Sequence, residues 1–160
     1  MYEFTGGGVG VIDFDADGWP DLYLPNGTVW PPPKEAQHKD SLYRNVAGSF
    51  VQVATEAGIK ESDFGQGVTV GDVNCDGFPD LYVANTHQNR LWLNNGDGTF
   101  SDATATAGLT TSVWTTSCVI VDLNKDGFPD IYDVNFLSGC LLYTSPSPRD
   151  ATLSRMPSSA

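Results

Sequence analysis

The stretch DVNCDGFPD, Asp72 to Asp80, occurs with small changes at two other places in the 160-residue chain. DFDADGWPD begins at Asp13, and DLNKDGFPD begins at Asp122. All three read Asp-x-Asp/Asn-x-Asp-Gly-x-Pro-Asp, and we call them loop 1 (13–21), loop 2 (72–80) and loop 3 (122–130). Recurrence of one loop at long intervals indicates a repeat protein whose units share a local structure.

Each loop places side-chain oxygens at alternating positions. Ca²⁺ takes about six to eight oxygen ligands, and the glycine at position six permits a sharp turn because it tolerates positive φ. Position seven would contribute a backbone carbonyl, so its side chain is free to be aromatic. We therefore predict three Ca²⁺ sites. The predicted ligands are Asp13, Asp15, Asp17, Trp19 and Asp21, then Asp72, Asn74, Asp76, Phe78 and Asp80, then Asp122, Asn124, Asp126, Phe128 and Asp130.

The acidity of the chain is concentrated in these loops. The sequence has 20 acidic and 8 basic residues, a formal net charge of -12, and ten of the acids occupy predicted ligand positions. Basic nucleic-acid binding is excluded as a class, because phosphate contacts need clustered Lys and Arg. No apolar run approaches the roughly 18 residues of a membrane span.

An EF-hand is the first alternative, since its loop opens with the same residues. An EF-hand requires a bidentate Glu at position twelve and flanking helices. Position twelve is Leu24, Val83 and Asp133, and the loops are followed by LYLPN, LYVAN and IYDVN. These segments are short and rich in β-formers. We predict a strand–Ca²⁺ loop–strand hairpin in each unit.

The repeat extends beyond the loop. The first loop residues are 59 and then 50 residues apart, and LYRN (42–45) corresponds to LWLN (91–94). A Pro-rich insertion at 26–41 accounts for the longer first interval and is predicted to be a surface loop. Each complete unit holds about four short strands, and repeated four-stranded units of this length are typical of β-propeller blades.

We therefore predict an all-β chain that is a fragment of a β-propeller, about two and a half blades long. Blade 1 spans 1–59, blade 2 spans 60–109, and a truncated blade 3 spans 110–139. The remaining residues, 140–160, depart from the repeat pattern.

FGQGVTVGDVNCDGFPDLYVAN and RLWLNNGDGTFSD resemble FG-GAP/VCBS repeats, the blades of integrin-α-like β-propellers. TGGGVGVIDFDADGWPDLYL and LYRN are most similar to bacterial proteins of the ASPIC/UnbV-associated group, related to cartilage acidic protein. The resemblance covers roughly residues 5 to 137. It implies a seven-bladed propeller, Ca²⁺ in the blade loops and an exported location, and it implies no established catalytic activity for the repeats.

The sequence at the end of the chain does not resemble that of a natural protein. CLLYTSPSPRD and SRMPSSA, within 140–160, match the translation of a transposase-type sequencing adapter. We expect this tail to be non-native and exclude it from fold reasoning. Cys75 and Cys118 then remain, and we expect two free thiols rather than a disulfide.

The expected function is a Ca²⁺-binding structural and interaction module of a larger extracellular, cell-surface or periplasmic protein. Its expected partners are the remaining blades and an extracellular protein or carbohydrate, with no nucleic acid. His38 and His87 lie in no catalytic spacing, so no enzyme activity is expected of this segment. The alternative is an accessory or catalytic propeller of an extracellular carbohydrate-active enzyme whose active site lies outside this chain.

Overall fold

The computed structural model describes residues 7–27, 39–109, 114–137 and 153–154. The described part contains strands and turns and no helix. It therefore contains no helix long and apolar enough to cross a membrane. The strands form three antiparallel sheets, which we call blades 1, 2 and 3 in chain order.

Blades 1 and 2 are four-stranded sheets in which each strand pairs with the next along the chain. Blade 1 contains β1 (Gly10–Ile12), β2 (Asp21–Leu24), β3 (Ser41–Val46) and β4 (Ser49–Gln52). Blade 2 contains β5 (Gly65–Gly71), β6 (Asp80–Asn85), β7 (Arg90–Asn94) and β8 (Phe100–Asp102). Blade 3 contains β9 (Trp114–Val121) and β10 (Asp130–Leu137), and β11 (Leu153–Ser154) pairs with β10 at its other edge.

The acidic loops join the first two strands of every blade. The pairs that close the loops are Ile12 with Asp21, Gly71 with Asp80, and Val121 with Asp130. The last residue of each loop thus opens the second strand. The predicted strand–loop–strand hairpin is confirmed in all three units. A further hairpin joins β7 and β8 around Asn95–Thr99.

Neighbouring blades approach through their first strands, and glycine makes the approach possible. A Cβ atom added at Gly10 of β1 would lie 3.3 to 3.4 Å from the methyl groups of Val68 and Val70 on β5. A Cβ at Gly71 of β5 would lie 2.7 Å from the side chain of Ile120 on β9. The same face of each first strand therefore receives the branched side chains of the next blade.

The hydrophobic core consists of layers between blades rather than one central cluster. Ile12, Phe14 and Tyr23 of blade 1 pack with Leu81 and Trp92 of blade 2. A second layer joins Tyr82 and Leu91 of blade 2 to Cys118, Ile120 and Ile131 of blade 3. Because each layer needs two adjacent sheets, the units stabilise one another in the manner of repeat proteins.

The all-β, blade-like architecture predicted from the sequence is confirmed. The exact boundaries of the units stay a prediction. Most of the insertion at 26–41 lies outside the described residues, including His38, and so does most of the tail at 140–160.

Candidate metal centre

The three loops share one backbone shape, which their first aspartate organises. In loop 1 the Asp13 carboxylate accepts hydrogen bonds from the amides of Asp17 and Gly18 at 3.1 and 3.0 Å. Asp72 accepts the same two bonds in loop 2, from Asp76 and Gly77. Such Asx bonds satisfy backbone donors that no strand partner reaches, so the shape is encoded locally.

Two positions in each loop adopt left-handed backbone conformations. Position six is glycine in all three loops, with φ between 86° and 94°. Position four is also left-handed although it is not glycine: Ala16, Cys75 and Lys125 have φ of 55°, 59° and 64°. The sequence predicted the first of these turns and missed the second, because position four carries no glycine to mark it.

In loops 1 and 2, both oxygens of the last aspartate accept hydrogen bonds from backbone amides. Asp21 is fully buried and accepts the amide of Phe14 at 3.2 Å and the amide of Asn45 at 2.7 Å. Asp80 is equally buried and accepts the amides of Val73 and Asn94 at 2.9 and 2.8 Å. Burial raises the pKa of both carboxyls, and these backbone bonds oppose the rise.

Loop 1 brings three predicted ligands together. One carboxylate oxygen each from Asp13, Asp15 and Asp21 lies within 4.8 Å of the other two. Among the described residues, Oδ1 of Asp15 is buried and has no hydrogen-bond partner. A buried oxygen without a partner is costly unless something else satisfies it. An all-oxygen donor set of this kind fits a hard cation such as Ca²⁺.

Loops 2 and 3 arrange their residues similarly but with an amide at position three. Asn74 donates from Nδ2 to Asp76 at 2.8 Å, and Asn124 donates in the same way to Asp126 at 2.9 Å. The amide oxygens of both asparagines accept the position-five amide. The asparagine at position three thus forms hydrogen bonds within its own loop, whereas Oδ1 of Asp15 has no hydrogen-bond partner among the described residues.

The side chain of Arg44, the arginine of LYRN, contacts loop 1. Nε of Arg44 is 2.6 Å from Oδ2 of Asp15, and its Nη2 donates to Oδ2 of Asp17 at 3.2 Å. The sequence comparison aligned LYRN with LWLN but did not assign Arg44 a role. The sequence difference that could have indicated such a role is that Leu93 occupies the corresponding position of the second unit.

Loop 1 also contacts the next blade. Asn94 of β7 donates from Nδ2 to the carbonyl of Phe14 at 2.9 Å. A cavity of about 610 Å³ opens between blades 1 and 2 at this place, and Asp15, Arg44 and Asp97 are among the residues that line it. Solvent can therefore reach loop 1 from the side of the β7–β8 turn.

A second set of buried acids lies away from the loops. Asp40 is 1% exposed and accepts the hydroxyl of Tyr23 at 2.5 Å and the amide of Asn26 at 2.7 Å. Burial raises the pKa of Asp40 to about 7, and the nearby carboxylates of Glu61 and Asp63 add to the rise.

In blade 2 the place of Asp40 is taken by Asn89. Its Oδ1 accepts the amide of Asn85 at 2.9 Å, and its Nδ2 lies 3.0 Å from the hydroxyl of Tyr82. Asn26 and Asn85 in turn donate their side-chain amides to the carbonyls of Lys39 and Gln88. Asn26 and Asn85 therefore make equivalent hydrogen bonds in the two blades.

Sequence reasoning missed two polar contacts at the entry to blade 2. The buried Glu61 lies 3.3 Å from Nε of Arg90, and Nδ1 of His87 lies 3.2 Å from Oδ1 of Asp63. The side chain of His87 is 40% exposed. Cys75 and Cys118 are both free thiols.

Repeated four-stranded antiparallel sheets, each opened by an acidic loop, define a repeat module of a β-propeller. The family profile described as FG-GAP-like repeat matches residues 13–83 and, again, residues 72–132. The two matches together span most of the chain, and the chain belongs to the FG-GAP-like repeat family.

Proposed function

We propose that this chain is a Ca²⁺-binding repeat module with a structural and interaction role in a larger exported protein. The observation that carries the proposal is the convergence of Asp13, Asp15 and Asp21, whose oxygens lie within 4.8 Å of one another. The common backbone of the three loops extends the proposal to loops 2 and 3. In each loop the side chains at positions one, three, five and nine, with the carbonyl at position seven, would hold the ion.

Ca²⁺ suits these loops better than Mg²⁺ does. The donors are carboxylate, amide and carbonyl oxygens on loops that are largely exposed. Mg²⁺ demands a near-ideal octahedron and gives up its water reluctantly, whereas Ca²⁺ accepts varied geometry and six to eight ligands. Extracellular Ca²⁺ modules have dissociation constants of about 10⁻⁴ to 10⁻³ M, which is the range we expect for these loops in an exported parent protein.

The ion would act mainly on stability. Loop 1 holds four carboxylates; burial raises the pKa of Asp21, and repulsion from Asp15 and Asp17 adds to the rise. A bound cation removes that repulsion and ties both ends of the β1–β2 hairpin together. Ca²⁺ at ten times its dissociation constant adds about 1.4 kcal/mol per site to the free energy of unfolding.

Thermal unfolding of the full chain tests this role. We expect the midpoint to rise with added Ca²⁺, to fall on chelation by EDTA, and to change little with Mg²⁺. Asp76→Asn should reduce the Ca²⁺-dependent rise. Asp97→Asn is the matched control, because Asp97 is an exposed acid in the β7–β8 turn outside the loops. A midpoint indifferent to Ca²⁺ and EDTA would contradict the proposal.

The interaction role concerns the protein or carbohydrate that the parent protein contacts. We assign no catalytic residues to this segment. An assay of the full-length parent for glycoside cleavage separates this role from the alternative of an enzyme-associated propeller. Cleavage that requires residues outside the repeats would favour the alternative.

A further inference from the structure

Loop 1 differs from loops 2 and 3 in charge. It carries four carboxylates, Asp13, Asp15, Asp17 and Asp21, whereas each of the others carries three and an asparagine at position three. A fourth carboxylate at short range raises the repulsion in the ion-free loop. The additional acid is Asp15, the residue whose Oδ1 is buried without a hydrogen-bond partner among the described residues.

Arg44 is placed to offset that acid. It comes from β3, 27 residues beyond Asp17, and its guanidinium engages Oδ2 of both Asp15 and Asp17. The corresponding position of blade 2 is Leu93, which packs against the apolar layer between blades 2 and 3. Within the described residues, neither loop 2 nor loop 3 forms an ion pair with a basic side chain.

The sequence differences between the two blades at these two positions compensate each other in charge. Blade 2 has Asn74 with Leu93, and blade 1 has Asp15 with Arg44. The net side-chain charge of loop 1 with its arginine equals that of loop 2 with its leucine. Arg44 uses the outer oxygen of Asp15 and leaves Oδ1 for another partner.

We propose that Arg44 tunes loop 1 as a cation site, by stabilising the ion-free loop and competing with the bound ion for the charge of Asp15 and Asp17. This inference rests on the proposed Ca²⁺ function and assigns regulation to one of its sites. Arg44 is a positioning residue, since it acts on ligands and not on the ion. Loop 1 should therefore adopt its folded conformation before Ca²⁺ binds.

The expected effects have opposite signs in the two states. Without the ion, Arg44→Leu leaves four carboxylates uncompensated and lowers the unfolding midpoint. With the ion, the same change removes a repulsive positive charge and tightens loop 1 about tenfold, the order expected for a unit charge close to a divalent ion. A purely structural arginine would lower stability in both states and leave affinity unchanged.

Terbium luminescence gives a measurement confined to loop 1. Tb³⁺ is an oxygen-seeking cation used as a probe for Ca²⁺, and the loop 1 residue at position seven is Trp19, where loops 2 and 3 have Phe78 and Phe128. Tryptophan-sensitised emission, displaced by Ca²⁺, therefore reports the affinity of loop 1. Trp19→Phe is the control that removes this signal while keeping the residue type found in the other loops.

The experiment compares full-length wild type, Arg44→Leu, Asp15→Asn and the double variant, with unfolding in EDTA measured in parallel. We expect tighter binding for Arg44→Leu, weaker binding for Asp15→Asn, and near wild-type affinity and EDTA stability for the double variant, which copies blade 2. Arg44→Lys should keep the wild-type affinity. Arg44→Gln replaces Arg44→Leu, with the same expectation, if the leucine variant does not fold without the ion.

The possible failures are distinguishable. If Ca²⁺ neither displaces Tb³⁺ nor alters stability in wild type, the Ca²⁺ function and this inference both fall. If wild type binds Ca²⁺ and removal of the Arg44 charge leaves loop 1 affinity unchanged or weaker, only the inference is overturned. Non-additive effects of Asp15→Asn and Arg44→Leu on EDTA stability support it, and strictly additive effects overturn it.

Discussion

Phe50 of blade 1 and Phe100 of blade 2 occupy the same place in the repeat, yet 49% of Phe50 is exposed and only 5% of Phe100. Phe100 is buried because blade 1 covers it, and its ring lies 6.0 Å from that of Phe14 between centroids. No described residue covers Phe50 to the same extent. The comparison shows that blade 2 buries Phe100 against the preceding blade.

The first strands show the same asymmetry. Val68 and Val70 of β5 pack against the glycine-bearing face of β1, whereas the corresponding Val9, just before β1, and Val11, in β1, are 57% and 58% exposed. Residues at equivalent positions of the two blades therefore contribute unequally to the free energy of unfolding. Substitutions at matched positions of blades 1 and 2 measure that difference directly.

Truncation of the two phenylalanines should give the largest effect. We expect Phe100→Ala to lower the free energy of unfolding by about 3–5 kcal/mol, because it leaves a cavity between blades. Phe50→Ala, the matched control, should cost less than about 1 kcal/mol, as is usual at exposed positions. Urea denaturation of both variants provides the measurement. Equal losses would show that the two blades have the same neighbours in solution.

Substitution of the last loop aspartate tests a structural role that blades 1 and 2 share. In EDTA, Asp21→Ala and Asp80→Ala should each cost about 2–3 kcal/mol, since each leaves two backbone amides without their acceptor. The control is Asp76→Ala, whose side chain is exposed and whose removal should cost less than about 1 kcal/mol without the ion. A loss for Asp76→Ala as large as that for Asp80→Ala would contradict a structural role specific to position nine.

A difference between the blades in pH dependence should follow from Asp40. Its folded pKa of about 7 exceeds the ordinary value of 3.8, so the folded state binds the proton more tightly. The stability that this group contributes is complete below pH ~4 and is lost as the pH rises through ~7.

Asp40→Asn copies Asn89 of blade 2 and removes that titration. We expect the variant to be more stable than wild type by about 1–2 kcal/mol at pH ~8 and no more stable at pH ~4. Denaturation midpoints across this range give the test. The matched control is Asp97→Asn, an exposed acid, which should leave the pH profile of wild type unchanged. A wild-type profile that is flat between pH ~4 and ~8 would contradict the assignment.

The sequence predicted the parts whose causes are local. Asp, Asn and Gly spacing encodes the loop, because its hydrogen bonds join residues two to five positions apart. The short β-forming runs on either side then pair across it. The repeat period completed the prediction of four-stranded units, and the family match agrees with it.

Contacts between distant residues were beyond such reasoning. Arg44 reaches loop 1 from 27 residues away, and Asn94 reaches the Phe14 carbonyl from 80 residues away. The pairing of Glu61 with Arg90 likewise joins the segment before β5 to the start of β7. Residue type and spacing indicate that such groups are polar, and give no information about which partner the packed sheets bring within reach.

By itself, the sequence determined three acidic loops, their flanking strands and a repeating all-β architecture, because each follows from short-range hydrogen bonding and side-chain alternation. Only the tertiary structure decided which of two equivalent phenylalanines is buried, which loop receives an arginine, and that burial raises the pKa of Asp40 to about 7. The physical reason is that burial and charge compensation depend on the neighbouring blade. The same nine-residue loop therefore becomes a different electrostatic site in each repeat.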